Sequence, residues 1–433
     1  MIRQAAWGFQ LKHYFWIAAT AAVTSIPVTG YAQQIPDDVG VAARVPDEYK
    51  PIGGRIGTVF VYPALTYDLT GTDNVVASDA DRRGDAYVTL APRVTMARNS
   101  QQSSHVVQLF NSNRFHFDSK DENFSEFGVL TRNRWGAVDS ANITFEASAQ
   151  REVDQRTGRN NVTLARSPVH HGRFDGELAY AFSAGRLSYR FGVHGRRVDF
   201  ADAISRTGTV IDQDFRDYSQ LGGNARLGYR VREGIDVIGQ VDYDRFYYDL
   251  GPGEPGFPSG LAPDRNSYRV KGEVGLGFDI SQRLYGVATI GYLTRKYRDQ
   301  VPQLRDVSSL SYNINLLWNP TEYLTVRVNG LRDIQETASP LVAGDQFTRG
   351  TVAVDYMPTP ALLFTASANA VHYNPVGVTT GNATEYGASL LGRYRLNRRW
   401  SVTSRVSYNG RDTNSPIDSF DGIWVSMGIV LTL

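Results

Sequence analysis

Cysteine is absent from all 433 residues of the chain. Its absence excludes disulfide bonds, thiolate metal sites, cysteine nucleophiles and a lipid-modified cysteine. The chain also lacks an excess of charge, since 45 basic and 44 acidic residues leave a formal net charge of +1. Chains that bind nucleic acid usually carry a strongly basic surface, so we expect no nucleic-acid partner.

Catalytic and metal-binding signatures are missing as well. The sequence has neither an HExxH nor a GxSxG motif, which would indicate a zinc or a serine hydrolase. The adjacent His170 and His171 would point to opposite faces of a strand, whereas metal ligands must converge on one point. We therefore expect no catalytic residue, no metal and no cofactor.

Long apolar runs are confined to the N-terminus. The basic residues Arg3 and Lys12 precede the apolar run 14–23, and small residues ending at Ala32 follow it. This order predicts a secretory signal peptide over residues 1–32, with cleavage after Ala32. A transmembrane anchor is the alternative, but the run is shorter than the ~20 residues that a spanning helix needs.

After the predicted cleavage site, residues 33–54 are polar and rich in proline, aspartate and glycine. We interpret them as a periplasmic segment that forms a loose tail, because chain ends of low hydrophobicity are usually mobile. The alternative is a segment that plugs or lines a periplasmic opening. No later stretch is apolar for long enough to span as a helix, so a membrane location would require a β-barrel.

From residue 55 onward, the chain is a series of strand-length segments separated by turn residues. The pattern predicts eighteen strands, with sixteen as the alternative, and an even number is expected of a bacterial barrel. The predicted strands are 55–69, 85–98, 103–117, 123–136, 141–153, 169–182, 186–200, 216–230, 235–249, 265–280, 283–298, 307–319, 322–336, 346–357, 361–374, 383–396, 399–411 and 420–433.

The connections between these segments alternate in length. Short ones such as 183–185 and 397–398 alternate with longer, glycine-, aspartate- and proline-rich ones such as 154–168 and 251–264. Outer-membrane barrels have this asymmetry, with short turns in the periplasm and longer loops outside the cell. An even strand number then places both termini on the short-turn side, in agreement with secretion to the periplasm.

Each predicted strand carries two different faces. In segment 265–280, the even positions from Tyr268 to Ile280 are apolar or glycine, whereas the odd ones include Arg269, Lys271 and Glu273. No helix is predicted that could cover the apolar faces, so only lipid outside and water inside suit both. The sequence therefore predicts an all-β fold, a transmembrane antiparallel up-and-down β-barrel over residues 55–433, in the outer-membrane lipid of a Gram-negative bacterium.

The last strand alternates down to the final residue. Every second position from Ile423 to Leu433 is apolar, while the opposite face is smaller and mixed. Gly428, Leu431 and Leu433 resemble the C-terminal signal that directs such barrels to the barrel-assembly machinery. That machinery is therefore an expected partner.

The segment VPDEYKPIGGRIGTVFVYPAL at residues 45–65, followed by Asp73-Asn74-Val75, carries a more specific resemblance. It resembles the start of a β-barrel porin family of outer-membrane proteins that are often encoded in proteobacterial exopolysaccharide gene clusters. In layout the resemblance extends over essentially the whole mature chain. It implies an outer-membrane barrel that exports polysaccharide together with a small periplasmic polysaccharide-export protein.

Charged residues on the inward faces are the candidates for function. The first interpretation is cross-strand ion pairing that stiffens the wall. The second is a hydrated pathway, in which fixed charges and planar arginine groups meet sugar hydroxyls or uronate carboxylates. The predicted pore-lining residues are Arg173, Arg190, Arg196, Arg226, Arg230, Arg269, Lys271, Glu273, Asp236, Asp242, Asp244, Arg327, Asp355, Arg393, Arg395 and Arg405.

The expected function is passage of a secreted polysaccharide through this lumen, gated by the long loops or by a periplasmic partner. A diffusion porin for small solutes is the first alternative. A lipid-modifying or structural barrel is the second, because fold alone does not decide function.

Overall fold

The computed structural model describes residues 40–137, 141–257, 264–280, 283–298, 306–339, 342–376, 381–415 and 417–433. The predicted signal peptide, its cleavage site and residues 33–39 lie outside the described residues. All statements below concern the described part of the chain.

Eighteen long strands dominate the described chain, and we number them β1 to β18 in chain order. They are β1 (Val59–Thr72), β2 (Asp85–Asn99), β3 (Ser103–His116), β4 (Phe124–Trp135), β5 (Asn142–Asp154), β6 (Val169–Ala184), β7 (Leu187–Phe200), β8 (Tyr218–Arg232), β9 (Ile235–Tyr248), β10 (Ser267–Ile280), β11 (Leu284–Tyr297), β12 (Val307–Thr321), β13 (Leu324–Gln335), β14 (Asp345–Thr359), β15 (Leu362–Pro375), β16 (Ala383–Arg395), β17 (Trp400–Thr413) and β18 (Phe420–Thr432).

Each strand pairs antiparallel with its neighbours in sequence, and β18 pairs with β1 to close the sheet. Along this seam, Ala64 faces Thr432 and Thr72 faces Trp424. Closure leaves none of these eighteen strands with an unpaired edge, which is what a sheet in a bilayer requires. The predicted all-β antiparallel barrel of eighteen strands is confirmed.

Most strands begin and end within a few residues of their predicted bounds, and the first strand is the main exception. Residues 54–56 form a short separate strand that turns back on the start of β1. β1 therefore begins at Val59 rather than at Arg55. The short strand continues the line of β18, since the N–H of Gly53 donates to the carbonyl of Leu433 at 3.1 Å.

The two ends of the barrel differ as predicted. Tight turns such as 185–186 and 233–234 join strands at one end, which we call the turn end. Loops such as 155–168 and 201–217 join them at the other, which we call the long-loop end. The first barrel strand starts at the turn end and the last strand finishes there.

The outer surface is an apolar band bordered by aromatic side chains. On β18, Ile423, Val425, Met427 and Ile429 point outward and are 45–62% exposed. Exposed aromatic residues near the turn end are Trp135, Tyr180, Tyr229, Trp318, Tyr356, Tyr394 and Trp400. Apolar bands between aromatic girdles are typical of barrels in a lipid bilayer.

Apolar clusters lie inside the long-loop end rather than in the middle of the barrel. One contains Val198, Tyr218, Phe246 and Tyr248 on β7 to β9. Three others lie near the same end and include loop residues such as Ala343. The long loops are therefore packed onto the inner wall. None of the helices among the described residues has the length and apolar character needed to cross a membrane.

Candidate functional site

A network of buried ion pairs occupies the inward face of β9 to β13, and Arg269 is its centre. Its Nε and Nη2 atoms donate to Asp244 at 3.0 and 2.6 Å, and its Nη1 atom donates to Asp333 at 2.7 Å. Asp333 is on β13, so this contact passes over β11 and β12 through the interior. Lys271 lies 3.4 Å from Asp333 and 3.9 Å from Asp242.

Solvent is nearly excluded from this network. Asp244 is 0% exposed and Asp333 is 4% exposed. Asp244 also accepts a hydrogen bond from Gln220 and contacts His194, both at 2.7 Å. Gly222 makes room for them, because a Cβ atom there would lie 2.4 Å from His194 Nε2. Side chains therefore fill the lumen on this side.

The network continues toward the long-loop end through residues that the sequence did not predict. Arg295 lies 2.6 Å from Glu336, which the hydroxyl of Tyr248 also contacts. Asp333 has the same parity along β13 as the predicted Arg327, so the alternation could have identified it. Glu336 lies in a loop beyond the strand, where alternation gives no signal.

Other predicted pore-lining residues form ion pairs nearer the wall, as expected if such pairs stiffen it. Arg230 differs in being exposed at the turn end, and Arg226 faces inward beside Arg190 in register. Glu273 accepts hydrogen bonds from Gln240 and Thr289, both at 2.8 Å. The ion pairs are Arg173–Asp175 at 2.6 Å, Arg196–Asp175 at 2.6 Å, Arg190–Glu177 at 2.5 Å, Arg230–Asp236 at 3.4 Å and Arg327–Asp355 at 2.9 Å.

Three predicted arginines near the turn end have a different environment. Arg393 is 8% exposed, and it has no hydrogen-bond or ion-pair partner among the described residues. Arg395 is 5% exposed and donates from Nη1 to the carbonyl of Pro360 at 2.9 Å, while its Nη2 atom has no such partner. Arg405 is a diagonal neighbour of Arg393 on β17, because Arg393 pairs with Thr403.

A belt of neutral polar side chains lines the inner wall between the charged ends of β12 to β17. We call it the polar belt, and its members are Asn313, Asn315, Asn329, Thr351, Ser367, Asn369, Ser389, Ser407 and Asn409. Asn369 and Asn409 converge over Gly387, where a Cβ atom would lie within 2.9 Å of both side-chain oxygens. Asn329 and Asn369 are exposed although they face inward, so this wall borders open lumen.

The loop between β5 and β6, residues 155–168, crosses the long-loop end, and we call it the mouth loop. Arg159 Nε lies 3.1 Å from Asp345 Oδ2 at the start of β14, nine strands away in a barrel of eighteen. Arg411 on β17 donates to the carbonyl of Thr157 at 2.7 Å. The mouth loop therefore reaches from its own wall to the opposite one.

Buried contacts anchor the mouth loop on its own side. Arg156 binds Glu122 through two hydrogen bonds of 2.9 and 3.0 Å, and both side chains are buried. Arg156 also donates to the carbonyls of Ala165 and Arg166, which folds the loop back on itself. The mouth loop is therefore anchored on its own side and contacts the opposite wall from there.

The N-terminal segment is ordered rather than loose, which corrects the expectation of a tail for residues 40–53. We call these residues the N-terminal strap. Val41 is buried, and its N–H donates to Thr325 on β13 at 2.9 Å. Further along, Arg398 donates to the carbonyl of Glu48 at 3.3 Å. Apolar burial and these hydrogen bonds hold the strap across the turn end, which favours the alternative of a segment that lines the opening.

The sequence profile of the family described as "Putative beta-barrel porin 2" matches residues 46–433. The chain belongs to this family. It is therefore an outer-membrane β-barrel porin, as the resemblance at its first strand predicted. No curated protein sequence matches it.

Solved structures similar to this porin are outer-membrane barrels of low sequence identity. A BenF-like porin from Pseudomonas fluorescens Pf-5 is 10% identical, with coverage of 88% of this chain and 100% of the other and a TM-score of 0.45. The outer membrane protein opdK from Pseudomonas aeruginosa is 10% identical, with coverage of 86% and 99% and a TM-score of 0.41. The siderophore receptor PirA from Acinetobacter baumannii is 8% identical, with coverage of 86% and 80% and a TM-score of 0.44.

Acidic side chains crowd the loop of the porin between β7 and β8. Asp202, Asp212 and Asp214 approach one another within 4.8 Å, but all three are exposed, and exposed carboxylates often cluster without a metal. Burial, reinforced by the charges of Asp199 and Asp214, raises the pKa of Asp217 to about 6, although the N–H of Phe200 donates to it. This loop therefore carries a group that titrates near neutral pH.

Proposed function

We propose that this porin exports an exopolysaccharide across the outer membrane. The turn end faces the periplasm and the long-loop end faces the cell exterior, as is usual for such barrels. The polymer enters beside the N-terminal strap, passes along the polar belt and leaves beneath the mouth loop.

The polar belt is the observation that carries this proposal. Amide and hydroxyl groups both donate and accept hydrogen bonds, so they match the hydroxyl groups that a sugar chain presents along its length. A neutral wall also holds no single group tightly. Transport requires many weak sites, so that cargo can both enter and leave.

The two covered ends support a gated channel rather than a permanently open one. The mouth loop bridges opposite walls at one end, and the strap lies across the other. We propose that the strap is displaced by a periplasmic polysaccharide-export protein, and that the advancing polymer or this partner releases the mouth loop. The barrel itself then needs no energy source.

Deletion of the gene tests the proposal directly. Secreted polysaccharide should disappear, while uptake of small solutes stays unchanged; normal secretion would overturn the export function. In complemented cells, Asn369→Leu should lower secretion several-fold, because it places an apolar side chain in the polar belt. Ala370→Leu is the matched control, since Ala370 is the exposed neighbour on the lipid face, and it should secrete normally.

A diffusion porin for small solutes is the second candidate. The family is described as a porin family, and an open wall of amides and hydroxyls would also pass small sugars. Steady conductance of the purified chain in planar bilayers, without any partner, would favour this candidate. Rare or absent openings would favour the gated exporter.

A further inference from the structure

We propose that the periplasmic end of the lumen holds an oxyanion-binding site, built by Arg393 and Arg395 beneath the N-terminal strap, with Arg405 beside it on β17. Its ligand is a carboxylate or phosphate group. The site stands on its own geometry and does not depend on whether the cargo is a polymer.

Arg393 carries a buried charge that is unpaired within the described part of the chain. Arg393 is 8% exposed and has no hydrogen-bond or ion-pair partner among the described residues. Burying a cation without a partner is costly, and a buried arginine normally meets a carboxylate. Arg269 in the same lumen does so twice, with Asp244 and Asp333. The donors of Arg393 are therefore left for a group that comes from outside the wall.

Positive charge is in excess around Arg393. Arg395 is two residues further along the same face, and Arg405 is the diagonal neighbour on β17, a separation of ~7–8 Å. Asp68 is the carboxylate that acts on Arg393 and Arg405, and it accepts a hydrogen bond from Thr403. Arg393 and Arg405 therefore share one carboxylate, and Arg395 adds a third cation on the same wall.

A cavity lies between these arginines and the strap. Arg393 and Arg395 line a cavity whose other side is formed by Val45 and Tyr49 of the strap. The Nε atom of Arg393 and the Nη2 atom of Arg395 are buried and have no hydrogen-bond partner. The strap thus covers a stretch of wall that carries two buried donors without a hydrogen-bond partner among the described residues.

The donor set selects the chemistry of the ligand. Planar guanidinium groups match the oxygen pairs of carboxylates and phosphates, and these charge-assisted hydrogen bonds are the strong ones. A neutral sugar would leave the arginine charges unpaired. The oxyanion has two possible sources, an acidic substituent on a passing sugar chain or free phosphate, and both present the same oxygen atoms.

Isothermal titration of the full chain in detergent tests the site. The titrants are inorganic phosphate, glucuronate and a short oligouronate, with glucose and sodium chloride as controls. The wild type should bind at least one oxyanion saturably and should not bind glucose. Arg393→Gln should weaken binding at least about tenfold. Arg186→Gln removes the same charge from an exposed turn between β6 and β7, and it should bind like the wild type.

The outcomes separate the site from its alternatives. Tighter binding of the oligouronate than of glucuronate indicates a substituent of a sugar chain, whereas binding of phosphate alone indicates a free anion. Absence of oxyanion binding by the wild type, or equal binding by Arg393→Gln, overturns the proposal. Thermal unfolding without ligand verifies that Arg393→Gln is folded. If it is not, Arg395→Gln replaces it, with the same loss of affinity expected.

Discussion

Arg269 and Arg393 show how differently one type of side chain is held on the two sides of the lumen. Both face inward and both are nearly buried. Arg269 is bound by two carboxylates on different strands, so its charge helps to fix β10 against β13. Arg393 has no such partner among the described residues, so its charge remains available to a ligand.

Removal of Arg269 should destabilise the barrel strongly. Arg269→Gln leaves Asp244 and Asp333 buried with less compensation, and breaking a buried ion pair from one side typically costs about 3–5 kcal/mol. Unfolding by urea in detergent micelles measures the change in the free energy of unfolding. Arg166→Gln is the control, because the Arg166–Asp121 pair has side chains 60% and 54% exposed.

The control should leave the free energy of unfolding nearly unchanged, since exposed ion pairs contribute little. Equal effects of the two substitutions would contradict the assignment of Arg269 to a buried network.

The loop between β7 and β8 should loosen as the pH rises. Burial raises the pKa of Asp217 to about 6, so the folded loop favours the protonated acid more than the unfolded chain does. At pH values below the ordinary aspartate pKa, Asp217 is protonated and the folded loop keeps its full stability. As the pH rises through about 6, ionisation of Asp217 destabilises the folded loop. Hydrogen exchange, corrected for intrinsic rates, should show lower protection of residues 201–217 at pH 8 than at pH 5.

Asp217→Asn should remove most of this pH dependence. The amide oxygen of asparagine still accepts the hydrogen bond from the N–H of Phe200 but does not ionise. A pH dependence that persists in this variant would show that another group controls the loop.

Alternation in the sequence predicted which side chains face inward, but not how they pair. The parity of β10 placed Arg269, Lys271 and Glu273 on one face. It could not reveal that Arg269 meets Asp333, because that contact depends on the curvature of the closed wall. The sequence could not predict the unpaired state of Arg393 either, since it depends on which carboxylates the barrel brings near.

Among the larger elements, the mouth loop and the N-terminal strap were the least predictable. Both are polar and rich in turn residues, which in a sequence is typical of exposed, mobile segments. The structure instead fixes them by a few long-range contacts, such as Arg159 with Asp345 and Val41 with Thr325. Such contacts join positions far apart in the chain, and no local pattern encodes them.

The mouth loop should open more often when the contact between Arg159 and Asp345 is lost, although Arg411 still donates to the carbonyl of Thr157. Arg159→Ala removes the side chain that reaches Asp345, while the near-side anchor of Arg156 and Glu122 remains. In planar bilayers we expect the conducting fraction of time to rise several-fold over the wild type. Arg166→Ala is the control within the same loop, because Arg166 binds Asp121 on its own side. An equal conducting fraction in both variants would show that Arg159 does not hold the mouth loop closed.

For the molecule as a whole, the closed barrel was the most predictable feature. Strict alternation of faces and of turn lengths predicts a closed sheet with both ends of the barrel sequence on one side, and the pairing of β18 with β1 agrees. The predicted start of β1 at residue 55 was wrong, because residues 54–56 form a separate short strand that continues the line of β18. This segment also has the length and composition of a strand. Local sequence does not distinguish one long strand from two short ones in line.

The proposed export pathway through the lumen can be measured directly, because the chain has no native cysteine. The double variant Arg159→Cys and Asp345→Cys removes the contact between these two residues and allows a short bis-maleimide to restore it covalently from outside the cell. Secretion of polysaccharide should proceed in untreated cells and in cross-linker-treated cells that carry either single variant. It should stop in treated cells that carry the double variant. Unchanged secretion after complete cross-linking would contradict passage of the polymer beneath the mouth loop.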